Sequence, residues 1–228
     1  VTAVSPSNPA GRIEISPKTC MGIIQVPNEL LQDATFDLRG FLIEELSWGL
    51  AEEEEKKILK GTGSGEPLGL LNAGLTAKDV ETATSANITA KDIQNLPYEL
   101  LGQYRSNAAW LMPRVYLKQV VNLKDDTGGS GLGKFLWQPD FTQPGAPMKL
   151  NGWPVYESEY FDAASADNDA VMIFGDFRRG YAIVDRAEIE VQVLQELYAA
   201  SNQTGFKFVK RVDGAVTDLN ALIRLNRT

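Results

Sequence analysis

The sequence predicts an α+β fold, and three observations predict it. The first is one long amphipathic helix. Between Asp33 and Lys60 the residues Leu38, Leu42, Leu46 and Leu50 return every four positions with Phe41 beside them, so one apolar stripe runs along a charged rod. The second is a series of late segments that alternate apolar and polar residues with period two, Phe206–Val212 (FKFVKRV) most regularly. The third is that no segment repeats at a fixed spacing, so a solenoid has no support. At 228 residues the chain makes one large or two small domains and is long enough to bury a core.

In chain order, Val1–Gly11 (VTAVSPSNPAG) has two prolines and no periodicity and reads as a mobile arm or cut loop; the start at Val1 in place of Met reads as processing or truncation. Arg12–Ser16 (RIEIS) alternates as a strand does, and Cys20–Val26 (CMGIIQV) is a second, more apolar strand ended by Pro27. Asp33 or Thr35 can cap the long helix, because a short side-chain oxygen accepts from the orphan amides of the first turn. Glu52 precedes Lys56 and Glu53 precedes Lys57 by four residues, the favourable order for exposed pairs. Lys56, Lys57 and Lys60 sit at the negative end of the helix dipole, and Gly61 is placed for a left-handed stop. About 26 helical residues would span roughly 39 Å, a girder longer than its own domain can cover.

Gly61–Gly69 (GTGSGEPLG) invites comparison with a nucleotide-binding loop. Such a loop lies between a strand and a helix and closes on Gly-Lys-Ser/Thr; here the glycines follow a helix, the closing residues are missing and Pro67 interrupts, so a tight structural turn is expected. Residues 72–90 are small and polar, a loop with one weak strand. Lys91–Tyr104 has a helical pattern interrupted by Pro97, which predicts two turns and a fresh start with Pro97 near its first position. Asn107–Met112 (NAAWLM) is a short buried strand, and Pro113 opens a helix over Arg114–Leu123 with Val115, Leu117, Val120 and Val121 toward a core.

Lys124–Gly133 (KDDTGGSGLG) is a flexible turn. Its Asp125 and Asp126 suggest a calcium loop, but the alternating acidic ligands and the closing Glu are missing, so solvated turn acids fit better. Pro139–Pro154 is proline-rich irregular chain. Ala170–Phe174 (AVMIF) is a buried strand, Gly175–Gly180 (GDFRRG) turns it into Tyr181–Asp185 (YAIVD), and Ile189–Leu194 (IEVQVL) alternates next. After Phe206–Val212, Asp213-Gly214 reads as a hairpin turn and Ala221–Leu225 (ALIRL) closes the sheet. Arg178 and Arg179 could bind an anion, with a subunit contact or a solvated pair as the simpler roles.

Composition removes several function classes. With 22 basic against 30 acidic residues the net charge is −8, opposite to what phosphate neutralisation requires of a nucleic-acid-binding surface. The chain has no histidine, which excludes catalytic dyads and triads built on imidazole and the commonest zinc sites. Cys20 is the only cysteine, so no internal disulfide forms. No apolar run reaches the length of a membrane helix and the start lacks a signal-peptide pattern. No catalytic, cofactor-binding or metal-binding residues stand out. A ligand-binding or enzymatic domain would need clustered carboxylates in a pocket; a structural or interaction protein, oligomeric, fits the profile better.

Seven motifs in order carry a family resemblance: Ile13–Leu31 (IEISPKTCMGIIQVPNELL), the acidic helix ending in Lys60–Leu71 (KGTGSGEPLGLL), Ala109–Met112, Leu123–Gly128 (LKDDTG), Leu150–Val155 (LNGWPV), Phe174–Tyr181 (FGDFRRGY) and Arg211–Gly214 (RVDG). Together they resemble the HK97-type major capsid proteins of tailed double-stranded DNA phages. The resemblance implies a non-enzymatic shell subunit without cofactor or metal. Such a subunit self-assembles into the pentamers and hexamers of an icosahedral head, which encloses double-stranded DNA without binding it specifically. It implies a virion protein assembled in the host bacterial cytoplasm, with portal, scaffold and protease proteins as further partners and no membrane. An encapsulin-like compartment shares the fold and is the alternative.

The resemblance also implies a domain plan. Residues 1–23 would be a partial E-loop, 24–107 and 189–228 a peripheral domain with Asp33–Lys60 as its spine helix, and 108–188 an axial domain. The family's N-terminal arm and first E-loop strand have no room here. Some relatives crosslink an E-loop lysine to an asparagine with help from a glutamate. Asn202 falls near the asparagine's place, but the E-loop offers Arg12 with Lys18 displaced, and Val209 stands where the acid should be, so no crosslinking is expected. Relatives also bend the spine helix; Gly40 and Gly49 would make it deformable here, or would serve close packing against a sheet.

Overall fold

The computed structural model describes residues 2–4, 12–33, 35–72, 79–81, 88–124, 148–161 and 170–226. The elements are β1 (Thr2–Val4), β2 (Arg12–Glu14), β3 (Lys18–Pro27), α1 (Asn28–Asp33), α2 (Leu38–Lys60), β4 (Asp79–Glu81), α3 (Ala90–Glu99), α4 (Gly102–Arg105), β5 (Ala109–Met112), α5 (Arg114–Val121), β6 (Lys149–Leu150), β7 (Trp153–Glu157), β8 (Ala170–Gly175), α6 (Phe177–Gly180), β9 (Tyr181–Leu194), β10 (Gln203–Val216) and β11 (Leu222–Asn226). Strands β1 and β2 pair in a two-stranded sheet, so Thr2–Val4 is a strand where an unstructured arm was expected. The remaining strands form sheets ordered β3-β10-β9 and β4-β11-β8-β5-β7-β6.

The chain divides into two compact units. The first is built chiefly from Glu14–Gly69 and Ile183–Ala215 and lays α2 on the three-stranded sheet; the second, chiefly Leu70–Ala182 and Val216–Thr228, holds the six-stranded sheet. These units are drawn differently from the expected boundaries at 107/108 and 188/189. Residues of α3 and α4 fall in the second unit because Ile93, Leu96, Leu100 and Tyr104 share one apolar cluster with Trp110 and Phe174. The C-terminal strand falls there because β11 pairs antiparallel with β8, Ile223 opposite Phe174, and parallel with β4.

In the second unit the sheet is mixed: β5 runs parallel to β7 and antiparallel to β8. All six residues of β8 are buried, as its unbroken apolar run predicts for a central strand. Trp110, fully buried, packs on Phe174 with ring centroids 4.4 Å apart and planes tilted by 41°, and donates its indole N–H to the Leu150 carbonyl at 3.1 Å, so its one polar atom is satisfied. Along α5 the core-facing residues are Tyr116, Leu117 and Val120, while Val115, expected inside, is 64% exposed. Pro97 does not restart a helix: it lies inside α3. A proline there leaves the carbonyl four residues back without its amide, and the Asn151 side chain donates to that carbonyl, of Ile93, at 3.3 Å. Thr89 caps the same helix through a reciprocal box with Asp92.

Other departures have similarly specific causes. Asn151 and Gly152 both take positive φ (53° and 90°) and join β6 to β7 in a two-residue hairpin, where irregular chain was expected. The segments 181–185 and 189–194 are one continuous strand, β9. Asp213-Gly214 is no hairpin turn but lies within β10. The Asp213 carboxylate is committed to the Ser16 amide at 2.8 Å and the Gly214 amide at 2.9 Å. Asp125 and Asp126 and most of the Pro139–Pro154 stretch lie outside the described residues.

Candidate functional site

Among the described residues no group of three or more His, Cys, Asp and Glu side chains could hold a metal. Among the described residues no helix is long and apolar enough to cross a membrane. The surface with the most distinctive construction belongs to the first unit, where α2 lies on the sheet.

The long helix begins at Leu38, later than the expected start near Asp33, and a separate short helix, α1, precedes it. Asp33 ends α1, and Asp37, not Asp33 or Thr35, caps α2 by accepting from the Gly40 amide at 3.1 Å. The 23 residues of α2 span about 35 Å at 1.5 Å per residue. Its inner stripe, Leu38, Leu42, Leu46 and Leu50, packs on Val26, Phe206 and Phe208 of the sheet, all four leucines half-buried. In β10, Phe206 stands opposite Ile24 and Phe208 opposite Gly22, and the alternate residues Lys207 and Val209 stand opposite Ile23 and Met21 on the other face.

Ion pairs tie the helix down. Lys210 of β10 binds Glu54 of α2 and Asp185 of β9, the latter at 3.2 Å. Burial pulls the Lys210 pKa down, but the hydrogen bonds and charges of its two carboxylate partners outweigh it and leave the ammonium above its ordinary value. At the C-terminal end Lys57 pairs with Glu66. The Glu66 carboxylate also accepts from the Thr62 amide at 2.8 Å and its hydroxyl at 3.0 Å. The Lys57 hydrogen bond first, then the Thr62 donors, hold Glu66 down at about 2. Residues 61–69 are thus a tight structural turn, as expected, with a bridge between Thr62 and Leu68. Gly61 serves it differently from the expected left-handed stop: its φ is −57°, and a Cβ there would sit 2.0 Å from the Pro67 carbonyl oxygen. A groove of about 360 Å³ lies beside this turn, lined among others by Lys18, Cys20, Met21, Leu50 and Lys57.

The sequence-predicted positions are not brought together as a reaction centre. Asn202 is an exposed left-handed cap whose side-chain oxygen accepts from the Asn28 amide nitrogen at 3.0 Å. Val209 stands opposite Met21 and Lys18 opposite Val212, with no hydrogen bond or ion pair joining Asn202, Lys18 and Val209 among the described residues. Arg178 and Arg179 are exposed on the single turn α6, whose amides at 178 and 179 are held by Asp176. Sequence reasoning missed Lys210, Glu66 and the outward side of α2, where Trp48 is 74% exposed. The first two carry no local signal, but an aromatic opposite a leucine stripe is legible from helical spacing alone.

A family model described as the phage capsid family matches residues 2–226. The chain is similar to the major capsid protein of Enterobacteria phage HK97, 29% identical over 152 residues; the match takes in 65% of this chain and 39% of that protein. Among solved structures it is similar to the capsid of a native GTA particle computed with C5 symmetry, with a TM-score of 0.82 at 27% identity over 95% of this chain and 74% of that one. The holo-SrpI encapsulin complex from Synechococcus elongatus PCC 7942 gives a TM-score of 0.72 at 13% identity over 100% of this chain and 81% of that one, a likeness of fold alone.

Proposed function

Because the chain belongs to the phage capsid family and has the HK97-like α+β fold, we propose that it is a major capsid protein. Its copies assemble into the pentamers and hexamers of an icosahedral head around double-stranded DNA. The observation that carries this reading is the family match over residues 2–226, on a backbone that follows a particle capsid at a TM-score of 0.82. The negative charge is compatible with a wall that encloses DNA without gripping it, since like charges repel within a Debye length. Virion residence, assembly in the host cytoplasm and portal, scaffold and protease partners belong to the same proposal.

We assign the first unit to the peripheral domain, with α2 as spine, and the second to the axial domain. This moves residues 70–107 and 216–228 out of the peripheral domain expected from sequence, in keeping with the core that α3 and β11 share with β8. Residues 1–23 remain the E-loop portion. The subunit performs no catalysis of its own, and autocatalytic crosslinking is absent: valine at 209 cannot act as a base, and Arg12 cannot supply an amine nucleophile. A non-reducible ladder of multimers from assembled particles would overturn that statement.

Electron microscopy of the full-length gene product tests the main reading, with closed shells or capsomer rings expected. A product that stays monomeric under every assembly condition refutes it. The encapsulin-like fold at a TM-score of 0.72 keeps one second reading open, a compartment for protein cargo. Particles that co-purify with a stoichiometric protein and no nucleic acid would select it.

A further inference from the structure

On the outward side of α2, Phe41, Glu44, Glu45, Trp48, Glu52 and Glu55 fall within about 100° of arc, and of these four acids Glu55 is already engaged. Trp48 is 74% and Phe41 52% exposed. The acids on the other side of this helix are answered: Glu54 by Lys210 and Glu53 by Lys56. Glu44, Glu45 and Glu52 are in no ion pair among the described residues. A helix kept soluble by its charges gains nothing from a bare indole among three unanswered carboxylates. A cation lying on the indole face is attracted by the ring quadrupole and, at this position, is also within reach of those carboxylates.

We propose that this face docks a basic, Lys- or Arg-bearing segment of a different polypeptide, with Trp48 as the anchor and Glu44, Glu45 and Glu52 as the charge complement. A second copy of this chain is the poorer occupant. Its own basic and apolar face, Lys207 and Arg211 with Met21 and Ile23, lies on the side of the sheet away from α2. Copies joined helix face to sheet face would make a heterologous contact, which closes into a ring only where its rotation does. The proposal does not depend on shell assembly and can be tested on unassembled protein.

The test titrates the full chain with a fluorescent, basic amphipathic peptide of about five helical turns, read by anisotropy, beside the same peptide with Glu in place of each Lys. Saturable binding of the basic peptide only is expected, weakening as salt screens it. Trp48→Ala, and separately Glu44→Gln/Glu45→Gln/Glu52→Gln, should each weaken binding about tenfold, as loss of an anchor does. Glu190→Gln/Glu196→Gln, exposed acids elsewhere on the same unit, should leave it unchanged. Trp48 is exposed, so its loss leaves the fold intact. Failure of the basic peptide to bind, equal binding of the acidic peptide, or equal weakening by the control variant overturns the proposal. So does self-association of the chain alone that Trp48→Ala abolishes, which would make a second copy the occupant.

Discussion

The two units of this chain solve burial in opposite ways. In the second, Trp110, Met112, Met172, Phe174, Ile223 and Leu225 are all at or below 1% exposure, enclosed between a six-stranded sheet and the helices that cross it. In the first, Val26, Phe206 and Phe208 are the buried centre, and the four leucines of α2 above them are only half-covered. A core sealed on both sides holds its shape by its own packing. A core one layer deep depends on individual ties such as Lys210 with Glu54 and Lys57 with Glu66, and it leaves one side of a long helix for other contacts. That division of labour suits a subunit in which one part is a rigid block and the other meets its surroundings.

Truncation should expose the contrast most strongly. Trp110→Ala is expected to cost about 3–5 kcal/mol, the range for emptying a sealed aromatic site. Leu46→Ala, under a half-covered leucine, is expected to cost only about 1–2 kcal/mol, because water already reaches part of the side chain. Denaturant midpoints of the two variants measure this, and equal losses would dissolve the distinction. Between them falls Gly61→Ala. The added carbon would lie 2.0 Å from the Pro67 carbonyl oxygen, which is backbone and cannot swing aside, so a loss of about 2–3 kcal/mol is expected although the backbone angles suit any residue.

The ties of the thin unit have a pH signature. Glu66 is held at about 2, below the ordinary 4.5, chiefly by Lys57 and the Thr62 donors. A carboxylate with a lowered folded pKa adds stability that is complete above its unfolded pKa and is lost as the pH falls from 4.5 through 2. With solvent screening at a surface turn the contribution at neutral pH is about 1 kcal/mol. Glu66→Gln should therefore be less stable than the parent by that amount at pH 7, with the two curves meeting as the pH falls toward 2. Parallel curves over that whole interval would show that Glu66 is not the tie it looks like.

What the sequence made legible follows the same division. The run Ala170–Phe174, the alternation of Phe206–Val212 and the leucine spacing of α2 were readable because burial imposes a period on each. What was not readable was decided by residues far along the chain. Pro97 stays inside α3 because Asn151, 58 positions after Ile93, serves the Ile93 carbonyl that the proline orphans. Asp213-Gly214 has the local chemistry of a hairpin, yet Ser16, 197 positions earlier, engages the aspartate and the strand runs on. Asp33 or Thr35 was expected to cap α2, but Asp37, as good a cap by type, is the residue that the folded backbone selects. Asn151-Gly152 has the local chemistry of a two-residue hairpin turn, which the reading of Pro139–Pro154 as irregular chain passed over. Phe41, expected beside the leucines in the inner stripe, is instead 52% exposed and shares the outward side with Trp48, and the lack of ion-pair partners for Glu44, Glu45 and Glu52 has no local signal in the sequence.

The smallest expected effect has the opposite sign and bears on whether the thin unit deforms. Gly40 and Gly49 could have been explained by close packing against a sheet, but a Cβ at Gly49 would meet nothing within 4 Å. At Gly40 it would meet only the Asp37 carboxylate, at 2.5 Å, a flexible cap and not the sheet. Packing therefore does not explain either glycine, and their effect on helix stiffness is left. Gly49→Ala is the clean probe because it leaves the cap untouched; it should stabilise the protein by up to about 1 kcal/mol, the usual gain from alanine in a helix interior. If α2 must bend during assembly, the same variant should assemble or expand more slowly despite its higher melting temperature. A variant that is more stable and forms particles at the parent's rate would show that the glycine is merely tolerated.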